Sequence, residues 1–327
     1  MEGVMMKNND KYAVAVRKPD KEIEVQVNSC KSSSDRPKIC SAPVVRGVVN
    51  FVDSLMIGVK TLMYSAEFFE DEEDEIKAET DTKSEKKEKK NRKEKTKKAE
   101  DLKSAKEKEK SDNAMMAGTV VLSIVIAVGL FMLLPAWIAS LLEKVIPNHI
   151  LLGLIEGVIR LVIFLAYVVI ISCMEDIKRT YMYHGAEHKT INCLEHGKNL
   201  TVENVMQASR FHKRCGTSFL FIVMIVSILV FMCITVDAIW LRLLLRVLLV
   251  PVIAGISYEF IRYAGRSESV IANALSKPGL LIQRLTTKEP TEDMVEVAIA
   301  SVEAVLDWRA YLEEQRQEES GDDRGKL

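Results

Sequence analysis

His149–Cys173, HILLGLIEGVIRLVIFLAYVVIISC, decides what kind of molecule this chain makes. The run is long enough to cross a hydrocarbon layer of about 30 Å as a helix, and its interior carries only Glu156 and Arg160 as charges. Helix is the state such a run requires, because in lipid every backbone N–H and C=O must be satisfied within the segment. To the N-terminal side, Ala114–Leu134 (AMMAGTVVLSIVIAVGLFMLL) has no charge at all. To the C-terminal side, Thr217–Val236 meets the same length criterion, and Ile239 to Ile261 does so with Arg242 and Arg246 near its start. The expectation is a mainly α, polytopic membrane protein with four transmembrane helices over residues 114–262.

Lys and Arg in short connections set orientation. The link Pro135–Asn148 holds one, Lys144, whereas Met174–Gly216 holds seven: Lys178, Arg179, Lys189, Lys198, Arg210, Lys213 and Arg214. The second link is therefore expected on the cytosolic face of the cell membrane, and an even number of spans puts both termini there too. Six cysteines in that setting do not read as a disulfide framework. A net charge of −1 names no partner.

Outside the spans the chain changes character. Tyr12–Val16 and Ile23–Val27 alternate in β-branched fashion around Arg17-Lys18-Pro19-Asp20-Lys21-Glu22, a hairpin with turn residues in place. Val44–Phe69 reads as an amphipathic helix, interfacial or packed on the bundle, completing an N-terminal region over 1–69. Residues 70–113 read as a charged, disordered tether: Lys77–Lys110 holds 15 basic and 9 acidic residues and too little apolar surface to fold alone. Glutamates interrupt its lysines and no aromatics interleave, so nucleic acid is not an expected partner; the lipid bilayer is. Within 263–327, Thr291–Gln315 reads as a cytoplasmic amphipathic helix with Glu292 and Asp293 in its first turn.

Four of the five histidines, His184, His188, His196 and His212, fall in the basic loop 174–216. His184-Gly185-Ala186-Glu187-His188 gives H-x-x-E-H, which on a helix sets both imidazoles on one face. They could share a divalent metal, zinc first, while Glu187 serves as the general base. Catalytic zinc commonly takes three protein ligands, and His212 or Cys215 would supply the third, with Cys193, Glu195 and His196 as alternatives. Gly185 weakens the local helix on propensity alone. A second constellation, Glu156, Arg160 and Arg246, places ionisable groups inside the spans, where they are functional candidates or structural ion pairs.

EGVMM near the start, YAVAVRKPD, GVIRLVIFLAY, YHGAEHKTINCLEHG, SRFHKRCGTSFL, AGISYEFIR and PGLLIQRLTTKEP together resemble the YqhQ-type bacterial membrane proteins. The likeness covers most of the chain outside Glu70–Lys110 and the extreme C-terminus. It implies the membrane architecture, the label of a predicted metal-dependent enzyme, and site positions at His184, Glu187, His188, His212 and Cys215. Two functions stay open. One is a metal-dependent hydrolase acting on a membrane-proximal peptide or lipid-linked substrate; the other is a non-enzymatic scaffold or a metal- or ion-handling protein.

Overall fold

The structure is a computed structural model that describes residues 2–30, 36–81, 118–213, 215–234, 236, 238–265 and 269–324. It divides into two compact units, one formed by residues 1–72 with 166–327 and the other by residues 73–165.

Strands β1 (Gly3–Asn8), β2 (Lys11–Arg17) and β3 (Ile23–Ser29) form an antiparallel sheet in the order β1-β2-β3. The expected hairpin is β2–β3, with Val14 opposite Gln26. Its turn closes through Lys18 N–H to Glu22 O at 2.9 Å, with Lys21 at φ 71°. The sequence reading lacked β1, which pairs from Gly3 opposite Val16 to Asn8 opposite Lys11. Methionine-rich Val4-Met5-Met6 carries little β-branched signal, yet Val4 and Met6 alternate inward and are 4% and 6% exposed. The β1–β2 turn uses Asn9 at φ 50°, a conformation that asparagine tolerates better than most residues.

Helix α1 spans Val45–Asp81, so it continues past Phe69 into the start of the expected tether. The rest of that tether, residues 82–113, and the start of the first expected span lie outside the described residues. Then follow α2 (Gly118–Leu142), α3 (His149–Ser172), α4 (Glu175–Glu195), α5 (Val202–Gln207), α6 (Gly216–Met232), α7 (Ile239–Ala264), α8 (Val270–Thr286), α9 (Glu292–Glu303) and α10 (Trp308–Arg324).

Among the described residues, three helices are long and apolar enough to cross a membrane: α2, α3 and Trp240–Ala264 of α7. The remaining expected span is the 17-residue α6, about 25 Å long at 1.5 Å per residue. It closes with Cys233 N–H on Val230 O at 3.2 Å, short of the Val236 that hydropathy alone suggested. The single C-terminal helix expected over Thr291–Gln315 is also two. The break lies before Asp307, whose carboxylate accepts from Arg309 N and Ala310 N at 3.1 and 3.2 Å and so caps α10.

Within the 73–165 unit, α2 carries a π-helical segment at Gly129–Leu133 and a buried proline, Pro135. Proline has no N–H to give to the carbonyl four residues back, which here is Phe131 O. Arg160 Nε takes that acceptor at 2.9 Å, and Arg160 also donates to Glu156 Oε1 at 2.8 Å. The Glu156–Arg160 pair is thus tied to a backbone defect as well as to itself.

In the other unit the sheet is covered on both faces. Val4, Met6 and Ala15 pack with Tyr183, Ala186 and Cys193 of α4, with Met294, Val297 and Val302 of α9, and with Leu312 of α10. Tyr12, Val14 and Val16 face Ile57 of α1. The first turn of α1 in turn crosses α7 closely. A Cβ on Gly47 would lie 2.9 Å from Gly255 Cα, and beside this crossing Arg46 pairs with Glu259.

Candidate metal centre

Helix α4 carries H-x-x-E-H, so the expected helical placement holds. Glu175 and Asp176 occupy its first turn, where negative charge is favoured. Gly197, at φ 69°, ends it, with Gly197 N–H on Leu194 O at 2.9 Å and Lys198 N–H on Cys193 O at 3.1 Å.

Gly185 has a different role from the weakness propensity assigned to it. The segment after α8 runs directly across it: Lys288 N–H donates to Tyr181 O at 2.9 Å, and a Cβ at 185 would stand 2.0 Å from Lys288 O. A glycine is what lets that backbone approach.

His184 and His188 stack on one face of α4, with ring centroids 4.4 Å apart. His184 Nδ1 lies 2.9 Å from Thr286 O, and His188 Nδ1 lies 2.7 Å from Arg210 O. A carbonyl can only accept, so both Nδ1 atoms carry a proton, and in the neutral imidazole Nε2 keeps a lone pair. Cys215 N-caps α6, its Sγ accepting from Thr217 N–H at 3.4 Å, and it stands 3.2 Å from His184 Nε2. One donor atom each from His184, His188 and Cys215 falls within 4.8 Å of the others.

These residues pass a test of fit for a metal. Ligands sharing one zinc at about 2.0–2.3 Å sit roughly 3–4 Å apart, so the donors need only a small inward movement. Fixing an imidazole through Nδ1 to a carbonyl is how metal-binding histidines are usually oriented.

The other nominated residues are placed around this group. Glu187 is half-buried and, with His184, lines a cleft of about 330 Å³. Burial pushes its carboxyl above the ordinary carboxylate range, against the opposing influence of His184 and His212. His212 stands next to His188, ring centroids 5.9 Å apart, but its Nε2 meets Glu195 Oε2 at 3.1 Å.

Cys193 is fully buried in the core, its thiol held up by burial and bonded to Asn199 O at 3.5 Å. His196 Nδ1 turns back to Asn192 O at 2.7 Å. Arg246, 5% exposed, lies over the Phe231 ring with its guanidinium carbon 5.3 Å from the centroid.

Sequence reasoning missed the residues that hold the loop. Gln283, fully buried on α8, accepts from His212 N–H at 2.9 Å and donates to His212 O at 2.7 Å and to Ser218 Oγ at 2.8 Å. Lys189, 5% exposed, donates to Met206 O and Ala208 O at 2.8 and 3.1 Å and pairs with Glu289. Asn192 donates to Ser209 O and Phe211 O at 2.6 and 3.0 Å. The chemistry-bearing loop is thereby stitched to α4 at each turn. The clue was a Lys and an Asn on the H-x-x-E-H helix at positions that the helical pattern turns inward.

Comparison with known proteins gives a family and names no reaction. No solved structure matches the chain. It is 33% identical over 326 residues to the Bacillus subtilis (strain 168) protein named "Uncharacterized protein YqhQ", covering 98% of this chain and 94% of that one. Residues 42–308 match the family model described as "Protein of unknown function (DUF1385)", a stretch holding the H-x-x-E-H helix, Cys215 and all three long apolar helices, and the chain therefore belongs to that family.

Proposed function

We propose that this is a multi-pass membrane protein with a single divalent-metal centre, zinc by the chemistry of its donors, at the cytosolic face of the cell membrane, and that the centre is hydrolytic. The observation that carries the reading is the aim of the two imidazoles. Both Nδ1–H groups are spent on backbone carbonyls, while His184 Nε2 stands 3.2 Å from Cys215 Sγ and one ligand atom from each of His184, His188 and Cys215 lies within 4.8 Å of the others. Ordinary packing of histidines accounts for the first fact and gives no reason for the second.

His184, His188 and Cys215 would hold the ion. A bound zinc would act as a Lewis acid toward a substrate oxygen and toward water. Glu187, adjoining His188 and open to the cleft, would accept a proton at its carboxylate and hand it to the leaving group. The substrate would be a peptide or a lipid-linked molecule at the bilayer surface.

The membrane reading is supported by the seven-to-one Lys/Arg asymmetry between the two links. Trp137 and Trp240, 61% and 81% exposed near the ends of their apolar helices, suit interfacial anchors. A second reading, metal handling without hydrolysis, is favoured by one observation: two of the three converging donors, His188 and Cys215, are buried.

Metal analysis of protein purified in detergent under reducing conditions tests both. About one equivalent of zinc is expected, lost in His188→Ala and in Cys215→Ser. Glu187→Gln should keep the metal and lower hydrolysis about 10²-fold or more. Wild-type protein that takes up no transition metal would end both readings, and indifference to Glu187→Gln would leave metal handling.

A further inference from the structure

One face of α1 lines two successive clefts. Phe51, Ser54 and Leu55 border a cleft of about 460 Å³ together with Cys215, Phe219 and Leu220. Gly58, Thr61 and Ser65, the next turns of the same helical face, border the cleft of about 330 Å³ that holds His184 and Glu187. Between them lies the 3.2 Å contact of His184 Nε2 with Cys215 Sγ. Each cleft falls in the size range of small-molecule sites, roughly 300–1,000 Å³.

Their linings differ in character. The first is lined chiefly by the apolar Phe51, Leu55, Phe219, Leu220 and Ile261, with Asn50, Ser54 and Tyr258 beside them. The second holds two hydroxyls in an unusual state. Ser65 is 2% exposed, and neither Ser65 Oγ nor Thr61 Oγ1 has a hydrogen-bond partner among the described residues. Buried hydroxyls are normally satisfied, because leaving one bare is unfavourable. No Lys or Arg is among the residues that line this second cleft.

We propose that the two clefts form one site for a single-chain acyl lipid with an uncharged polar head. The chain lies along Phe51, Leu55, Phe219 and Leu220. The head accepts hydrogen bonds from Thr61 and Ser65, and the carbonyl joining them lies at the His184–Cys215 contact. This rests on the proposed hydrolytic centre only for what would befall that carbonyl; binding itself needs the clefts alone.

Photolabelling tests it. The full chain in nanodiscs is exposed to a monoacylglycerol bearing a diazirine in its chain, and adducts are mapped by mass spectrometry. Label is expected on Phe51–Leu55 and Phe219–Leu220 and should be competed by unlabelled monoacylglycerol.

Gly58→Leu should abolish head-dependent competition, since a Cβ there meets nothing within 4 Å and the side chain enters the cleft without moving backbone. Thr61→Val with Ser65→Ala should weaken competition by monoacylglycerol about tenfold, from two lost hydrogen bonds, and leave competition by hexadecane unchanged. Because those hydroxyls have no partner to lose, the double variant should melt no lower than wild type, which separates binding from misfolding.

Label confined to the outward faces of α2 and α3, or a double variant that competes as wild type does, would overturn the proposal. Zinc measured on the same samples keeps the readings apart. Zinc-free protein with cleft labelling refutes only the metal centre, and zinc-replete protein without it refutes only the lipid site.

Discussion

Two polar constellations on apolar-flanked helices have the same i, i+4 spacing and opposite construction. In α3, Arg160 gives its hydrogens to Glu156 and to Phe131 O, so charge and donor are consumed where they stand. In α4, His184 and His188 give Nδ1–H to carbonyls, and their rings converge with Cys215, His184 Nε2 lying 3.2 Å from its sulfur. The first arrangement is closed and the second is incomplete. Spacing on a helix therefore does not tell a structural pair from a binding site; what the second atom of each group faces does.

The largest effect should come from breaking the closed pair. Arg160→Met leaves Glu156 buried without its partner, and such half-removals cost about 3–5 kcal/mol. The double change Glu156→Leu with Arg160→Met removes both charges and should recover most of that loss. The open constellation should behave differently: His188→Ala strands no charge and should cost the metal-free protein less than Arg160→Met, about 1–3 kcal/mol for the lost hydrogen bond to Arg210 O, while abolishing zinc uptake. Equal destabilisation by Arg160→Met and His188→Ala, read by thermal melting in detergent, would erase the distinction.

Next in size is Gly185→Ala. A Cβ 2.0 Å from Lys288 O cannot be absorbed by a side chain turning aside. Overpacking of this kind costs about 1–3 kcal/mol, occasionally more. It should also part α4 from the segment carrying Thr286 O, the acceptor of His184 Nδ1, and so weaken zinc binding. An unchanged melting temperature would mean that the crossing is looser than the backbone positions show.

How much of this was legible beforehand depends on whether a feature is local. Long apolar runs announce α2 and α3, and H-x-x-E-H announces the face of α4, because both are set by nearest neighbours along one helix. Strand β1 was invisible because its stability comes from pairing with β2 and packing under α9 rather than from its own Val4-Met5-Met6. The break before α10 was written in Asp307 as a cap, but the apolar periodicity running through it masked the signal.

Cys215 and His212 were equal candidates for the third ligand because nothing in the sequence orders two residues near one span mouth. In the structure Gln283, far along the chain, holds the His212 backbone and Glu195 meets its Nε2, while Cys215 stands beside His184. Residues 82–117 bear the longest charge run, and the tether expected there lies outside the described part of the molecule.

Gln283 gives an intermediate test. Gln283→Leu leaves His212 N–H and C=O without partners in a buried position, worth about 1–3 kcal/mol. Since those groups fix the loop that carries Arg210 O and Cys215, zinc affinity should fall roughly tenfold. Stability lost with affinity intact would show that the loop is held from α4 alone, through Lys189 and Asn192.

The smallest effect belongs to His212, and it sharpens the comparison most narrowly. Its ring stands beside His188, yet its Nε2 is engaged by Glu195, whose side chain is 34% exposed. A partly exposed pair of this sort contributes about 0–1 kcal/mol. Glu195→Gln should therefore change melting by no more than that and leave zinc content alone. His212→Ala should likewise retain about one equivalent of zinc, because the three converging donors do not include it. If competition with a chelator instead shows zinc affinity falling a hundredfold in His212→Ala, the imidazole must leave Glu195 and join the centre on loading. The closed His212–Glu195 pair would then be the resting form of a fourth ligand, and the line between closed and open constellations would run through a single residue.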